Sequence, residues 1–105
     1  MNIVVQKYGG SSVADTERIK NVANRIAGKI REGSKVIVVV SAMGKTTDNL
    51  IKLAMEITLN PDPREMDMLL STGEQVSVSL LSIALSDMGI KSKSLNAFKV
   101  EIITT

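Results

Sequence analysis

The stretch Ile3-Val4-Val5-Gln6 is short, β-branched and followed by Gly9-Gly10, the pattern of a strand that ends in a loop. Ile19, Val22, Ala23, Ile26, Ala27 and Ile30 then recur at intervals of three and four, which predicts an amphipathic helix. Asp15 stands where an N-cap belongs, Glu17 falls in the first turn, and Gly33 closes the segment. Lys35 to Val40 is apolar after its lysine, as expected for a strand covered on both faces. Strand, helix and buried strand make a βαβ unit, which requires parallel pairing. A second helix is predicted from Thr46 or Thr47 to Leu59, with Leu50, Leu53, Ala54 and Ile57 inward. Asn60-Pro61-Asp62-Pro63 breaks it, and Pro63 can open a short helix through Leu70. Gly73 is expected to interrupt. A further helix from Glu74 to Met88 would carry Val76, Leu80, Leu81, Ala84 and Met88 inward, with Gly89 as its closing residue. Short strands are expected near Lys91 to Leu95 and Val100 to Thr104. The class is therefore α/β with a mainly parallel sheet.

The chain has 105 residues, the size of one domain, with 44% hydrophobic and 23% charged residues. Tyr8 and Phe98 are its only aromatics, so aliphatic side chains and methionines must fill the interior. Met43, Met55, Met66, Met68 and Met88 read as core fillers. The absence of Cys removes a disulfide framework, a zinc–thiolate site and a thiol nucleophile. The absence of His removes imidazole general bases and Ser-His triads. A net charge of +2 without a basic stripe argues against nucleic-acid binding. The longest continuous apolar run, Val36 to Val40, is far short of a membrane span, and no targeting pattern opens the chain. A cytoplasmic setting with no membrane partner is the expectation. The segment Ile102-Ile103-Thr104-Thr105 reads as a strand without a closing element, which suggests a fragment or a module completed by a partner.

Ligands of open α/β sheets bind at the carboxyl ends of strands. Two loops qualify. In Lys7-Tyr8-Gly9-Gly10-Ser11-Ser12, adjacent glycines let backbone amides approach an anion, and Lys7 adds a positive charge. The alternative is a plain glycine turn beside a solvated lysine, and composition does not separate the two. In Ser41-Ala42-Met43-Gly44-Lys45-Thr46-Thr47, the Gly44-Lys45-Thr46 triplet is not a Walker A loop, because Val39 stands where its first glycine belongs. Thr46 or Thr47 is expected to cap the following helix, and Ser41 and Thr47 hydroxyls could also bond a small polar ligand. In Leu69-Leu70-Ser71-Thr72-Gly73-Glu74, Glu74 reads as a first-turn carboxylate or as a site residue. Asp62, Glu65 and Asp67 read as a solvated face and helix-start charges, and no carboxylate set has metal-site spacing.

Together the three blocks resemble the aspartate kinases of the amino acid kinase superfamily. Val5 to Asp15 resembles their opening K-[FY]-G-G-[ST]-S signature. Val38 to Gly44 with Thr46-Thr47-Asp48 resembles their second block, and Arg64 to Glu74 their third. The likeness runs through nearly the whole chain. It implies a three-layer α/β/α fold, of which residues 1–105 would be the N-terminal, amino-acid-substrate side. The nucleotide half and the regulatory ACT domains would lie outside it. It also implies transfer of the γ-phosphoryl of ATP, with Mg²⁺, to the side-chain carboxylate of L-aspartate, the first step toward lysine, threonine and methionine.

By the same resemblance Lys7 is catalytic and phosphate-proximal, and Gly9, Gly10 and Ser11 line a phosphate loop. Ser41 is phosphate- or substrate-proximal, and Thr47 and Glu74 hold aspartate, with Glu74 facing its ammonium. The parent would be a homo-oligomer, and these residues alone would turn over little. The family commonly has Gln and Gly near the end of this stretch, where Lys99 and Glu101 stand here. Two other expectations remain beside this one: a self-associating module that pairs an open strand edge with a second copy, and a related kinase with another acceptor.

Overall fold

The computed structural model describes residues 2–93. Strand β1 spans Ile3–Tyr8, helix α1 Thr16–Arg31, strand β2 Lys35–Val40, helix α2 Thr46–Ile57 and helix α3 Pro63–Asp87. A single 3-10 turn, Gly10–Val13, lies between β1 and α1. The strand expected over 100–104, and 94–95 of the one before it, fall outside the described residues. Lys91, Ser92 and Lys93 are not in a strand.

The βαβ reading holds. Strands β1 and β2 pair in parallel, with Ile3 opposite Lys35 and Tyr8 opposite Val40. Strand β1 runs two residues past Gln6, because Lys7 and Tyr8 complete the ladder against Val39 and Val40. Lys7 therefore belongs to the strand and not to the loop.

Alternation along both strands sends Val36, Val38 and Val40 to one face, where α1 and α3 cover them. Ile3, Val5, Ile37 and Val39 on the other face stay about half exposed or more. The expected cover on both faces of β2 is thus absent among the described residues, which supply a helical layer on one side only.

Helix α1 forms as its pattern predicts. The Asp15 carboxylate accepts from the Arg18 amide at 2.8 Å, and Ile19, Val22, Ala23, Ile26 and Ala27 are buried. Its end is a Schellman turn: the Gly33 amide donates to the Ile30 carbonyl and the Ser34 amide to that of Lys29. Gly33 takes a φ of +93°, open to glycine without strain.

Two helix expectations fail in instructive ways. The segments expected as separate helices around Gly73 are one helix of 25 residues. Its start is fixed by Pro63 in the first turn and by Asp62, whose carboxylate accepts from the Glu65 amide at 3.1 Å. A mid-helix glycine costs about 1 kcal/mol relative to alanine, and here the close packing at Gly73 offsets that cost. Of the residues expected inward Leu81 reaches the core, Leu80, Ala84 and Met88 are half-buried and Val76 is exposed, while Leu85, not among them, is buried. Gly89 closes α3 as expected, in a second Schellman turn.

Helix α2 has no buried residue. Leu53 and Ile57, expected inward, are exposed, and Leu50 and Ala54 are half-buried beside α3.

By length and composition α3 could cross a membrane. Here it lies along α1 and β2 and contributes Leu81 and Leu85 to the buried cluster of Val13, Ile19, Val22, Ala23, Ile26 and Val40.

Ile26 is 1% exposed at the centre of that cluster. Ile26→Ala should cost about 2–5 kcal/mol, whereas Asp15→Ala, which removes a cap and an exposed ion pair with Arg18, should cost about 1 kcal/mol. Urea denaturation monitored by circular dichroism measures both.

Candidate functional site

The carboxyl ends of the two parallel strands converge on one residue, Ala42. After Tyr8 the ladder is prolonged by the Ser41 amide, which donates to the Tyr8 carbonyl at 3.0 Å. Beyond it the two loops are tied again, by the Gly44 amide to the Gly10 carbonyl at 3.1 Å. Between these bonds Ala42 is 4% exposed. A Cβ on Gly10 would lie 3.1 Å from the Ala42 carbonyl oxygen. A Cβ on Gly73 would lie 2.9 Å from the Ala42 Cβ and 3.2 Å from the Thr46 methyl. Three segments distant in sequence therefore meet closely: the approach at Gly10 is tight for a side chain, and at Gly73 one could not be added without something shifting.

The loop after β1 is held from below. Arg18 Nη1 donates to the Ser11 carbonyl at 2.8 Å, and the Ser12 amide donates to the Gly9 carbonyl at 3.1 Å. The same Arg18 provides the amide that Asp15 caps, so the turn is anchored to the first turn of α1. Sequence reading missed this role, and nothing in the spacing of Arg18 marks it. It also missed Ala42. Its reading of Gly73 as a break missed the close approach, a property of the far side of the contact.

The candidate residues sit as follows. Lys7 is exposed on the uncovered face of the sheet, opposite Val39, and forms no ion pair among the described residues. Gly9 precedes the 3-10 turn in extended backbone, with open space where a Cβ would point. Gly10 begins that turn, and Ser11 is exposed within it. Ser41 is exposed at the end of β2, one residue before Ala42. Thr47 is half-buried in the first turn of α2, and Glu74 is exposed on α3 directly after Gly73. Thus the backbone brings Gly10, Ser41 and the Gly73-Glu74 step around Ala42, and Thr47 follows the threonine whose methyl abuts Gly73.

Capping of α2 departs from expectation. The N-cap is Lys45, whose side chain makes no capping bond, and Thr46 and Thr47 are the first helical residues. The Thr46 amide is taken by the Met43 carbonyl at 2.8 Å. The hydroxyls of Ser71 and Thr72 are spent on their own helix, bonding the carbonyls of Met68 and Leu69 at 2.7 Å each. Those of Ser11, Ser41 and Thr47 have no such bond among the described residues. Exposed lysine, glycine backbone and uncommitted hydroxyls are donors of a kind that suits anionic oxygens. No group of three or more Asp or Glu among the described residues could hold a metal ion. A cleft of about 510 Å³ opens between α1 and α3, lined by Ile19, Leu80, Ile83 and Asp87 among others, and none of the candidate residues lines it.

Comparison with known proteins adds an independent line. The model of the amino acid kinase family matches residues 2–104. The chain is 55% identical to the aspartokinase of Geobacillus stearothermophilus over 104 residues, 99% of this chain and 26% of that protein. It is 54% identical to the aspartokinase of Thermus thermophilus, again over 99% of this chain and 26% of that one. Among solved structures, an aspartate kinase from Synechocystis matches with a TM-score of 0.87 and 56% identity, over 89% of this chain and 16% of that chain. The chain spans about a quarter of the length of the curated relatives it matches.

Arg18→Ala should release the Ser11 carbonyl at a cost of about 1 kcal/mol. Amide hydrogen exchange should quicken over residues 10–13 and stay unchanged in β2.

Proposed function

The chain belongs to the amino acid kinase family and carries a portion of its α/β fold, and from this premise we propose that it is the amino-acid-binding part of an aspartate kinase. The reaction is transfer of the γ-phosphoryl of ATP to the side-chain carboxylate of L-aspartate, giving 4-phospho-L-aspartate. The observation that carries this reading is the meeting of two loops and the middle of α3 at Ala42, at the strand ends where α/β proteins bind ligands.

The chemistry suits a chain without His or Cys. The acceptor carboxylate is already ionised at neutral pH, so the nucleophile needs no general base. What the protein must do is hold two anions in line and offset their charge. Lys7 places its ammonium against the transferring phosphoryl group. Gly9, Gly10 and Ser11 turn main-chain amides toward phosphate oxygens. Ser41 donates a hydroxyl to phosphate or acceptor at the strand end. Thr47 bonds the acceptor, and Glu74 pairs with its ammonium, which selects an amino acid over a simple dicarboxylate. Mg²⁺ entering with ATP would supply further neutralisation of the phosphates. The setting is cytoplasmic, and the working protein is a homo-oligomer.

Relatives at 50% identity and above share this stretch and bear the aspartokinase name, which favours aspartate over another acceptor.

The test is a hydroxylamine trap for acyl phosphate, run with ATP, Mg²⁺ and aspartate on the full reading frame that carries these residues. Aspartate-dependent hydroxamate is expected, with glutamate at least 10-fold poorer, since one methylene of misfit is worth that much. Lys7→Ala should lower kcat by about 100-fold or more while the melting temperature stays put, because Lys7 is exposed and unpaired. Equal rates for the variant and the unmodified protein would remove Lys7 from the mechanism. The 105 residues alone should give background turnover.

A further inference from the structure

The contact of Gly73 with Ala42 has a consequence for specificity. Gly73 has no positive φ, so its glycine identity is not demanded by backbone conformation. The demand is for space. Ordinary carbon–carbon contact needs about 3.5–4.0 Å, and a methyl on Gly73 would sit 2.9 Å from the Ala42 Cβ. Neither partner can yield by rotating a side chain, because Ala42 has none to rotate and its backbone is fixed on both sides. The Ser41 amide is bound to Tyr8, and the Gly44 amide to Gly10. On the other side Ala42 already presents its carbonyl oxygen to Gly10, where a Cβ would be at 3.1 Å. Displacement therefore falls on α3, which carries Glu74 on the next residue.

We propose that Gly73 and Ala42 are positioning residues for the amino-acid acceptor: their close contact sets how far Glu74 stands from Ser41 and Thr47. This deepens the function proposed above and rests on it for the identity of the acceptor. The pair touches no substrate. It acts by fixing the spacing between a carboxylate on α3 and hydroxyls at the β2–α2 junction. A shift of about 1 Å in such a spacing can lower the rate by about 100-fold.

The experiment is a cycle on the full reading frame: Gly73→Ala, Ala42→Gly and the double variant, with Gly28→Ala as control. Gly28 is also helical, and nothing lies within 4 Å of its Cβ position. Alanine there should raise the melting temperature, since alanine favours the helix. Gly73→Ala makes the same helical gain yet should lower it. It should also raise the KM for the acceptor by 10-fold or more, with the KM for ATP within about 2-fold. Ala42→Gly added to Gly73→Ala removes the 2.9 Å clash, leaves the 3.2 Å approach to the Thr46 methyl, and should recover a measurable part of both losses.

The two readouts fail separately. If Gly73→Ala stabilises as Gly28→Ala does, or the double variant recovers nothing, the contact is not limiting and the proposal falls. If melting shows the coupling but acceptor KM is unchanged, the pair is structural only and the proposal also falls. An unmodified protein that phosphorylates some other acceptor refutes the aspartate reading alone, and the same cycle is then scored on the KM of that acceptor.

Discussion

Everything at the strand ends depends on how close three pieces of main chain can come to one another. Ala42 is the smallest residue that still has a Cβ, and it is flanked by two positions that have none. On one side it faces the loop after β1, on the other the middle of α3. A protein interior is packed near the density of an organic crystal, so contacts at this distance leave no slack to absorb an added methyl. The spacing between the segments is thereby set by the Ala42 carbonyl on one side and its Cβ on the other, atoms that no rotamer change can move.

Such a constraint needs a rigid support, and the described fold provides it. The β1–β2 ladder continues past both strands through the Ser41 and Gly44 amides, so the two loops are tied to each other as firmly as the strands are. Helices α1 and α3 close over one face of the ladder through Ile26, Val40, Leu81 and Leu85. The turn after β1 is held to α1 by the Arg18 guanidinium. In contrast, α2 buries nothing of its own, and its exposed Leu53 and Ile57 make it the least anchored element described. The residues proposed to meet substrate are thus hung on the rigid part, apart from Thr47, which stands in the first turn of α2 beside the threonine whose methyl abuts Gly73.

The chemistry proposed for the site follows from what the chain has. The chain has neither imidazole nor thiol, so any mechanism that needs those two groups has no agent in it. Lysine, amides and hydroxyls remain, and these are groups that gather and orient anionic oxygen. A transfer between two anions is limited by charge and alignment more than by proton movement, so a site made of spacing is suited to it. The hydroxyls of Ser71 and Thr72, which stand in the same sequence block as Glu74, are turned back on their helix, and that narrows the block's contribution to Glu74.

Elements whose causes are local were legible in the residues alone. Period, cap and terminal glycine gave α1 its start at Asp15 and its end at Gly33, because a helix pattern and its caps lie within a few residues of one another. Apolar runs at the right separation were enough for the parallel pair, and three short blocks were enough for the family. Tertiary structure decided the rest. It carried α3 straight through Gly73, since the space a glycine leaves has value only when Ala42 and Thr46 arrive to fill it. It drew Lys7 into β1, since Val39 was there to pair with. It also left Leu53, Ile57 and half of each strand's apolar side chains uncovered among the described residues. A sequence shows that a residue is apolar, but burial is a property of what packs against it.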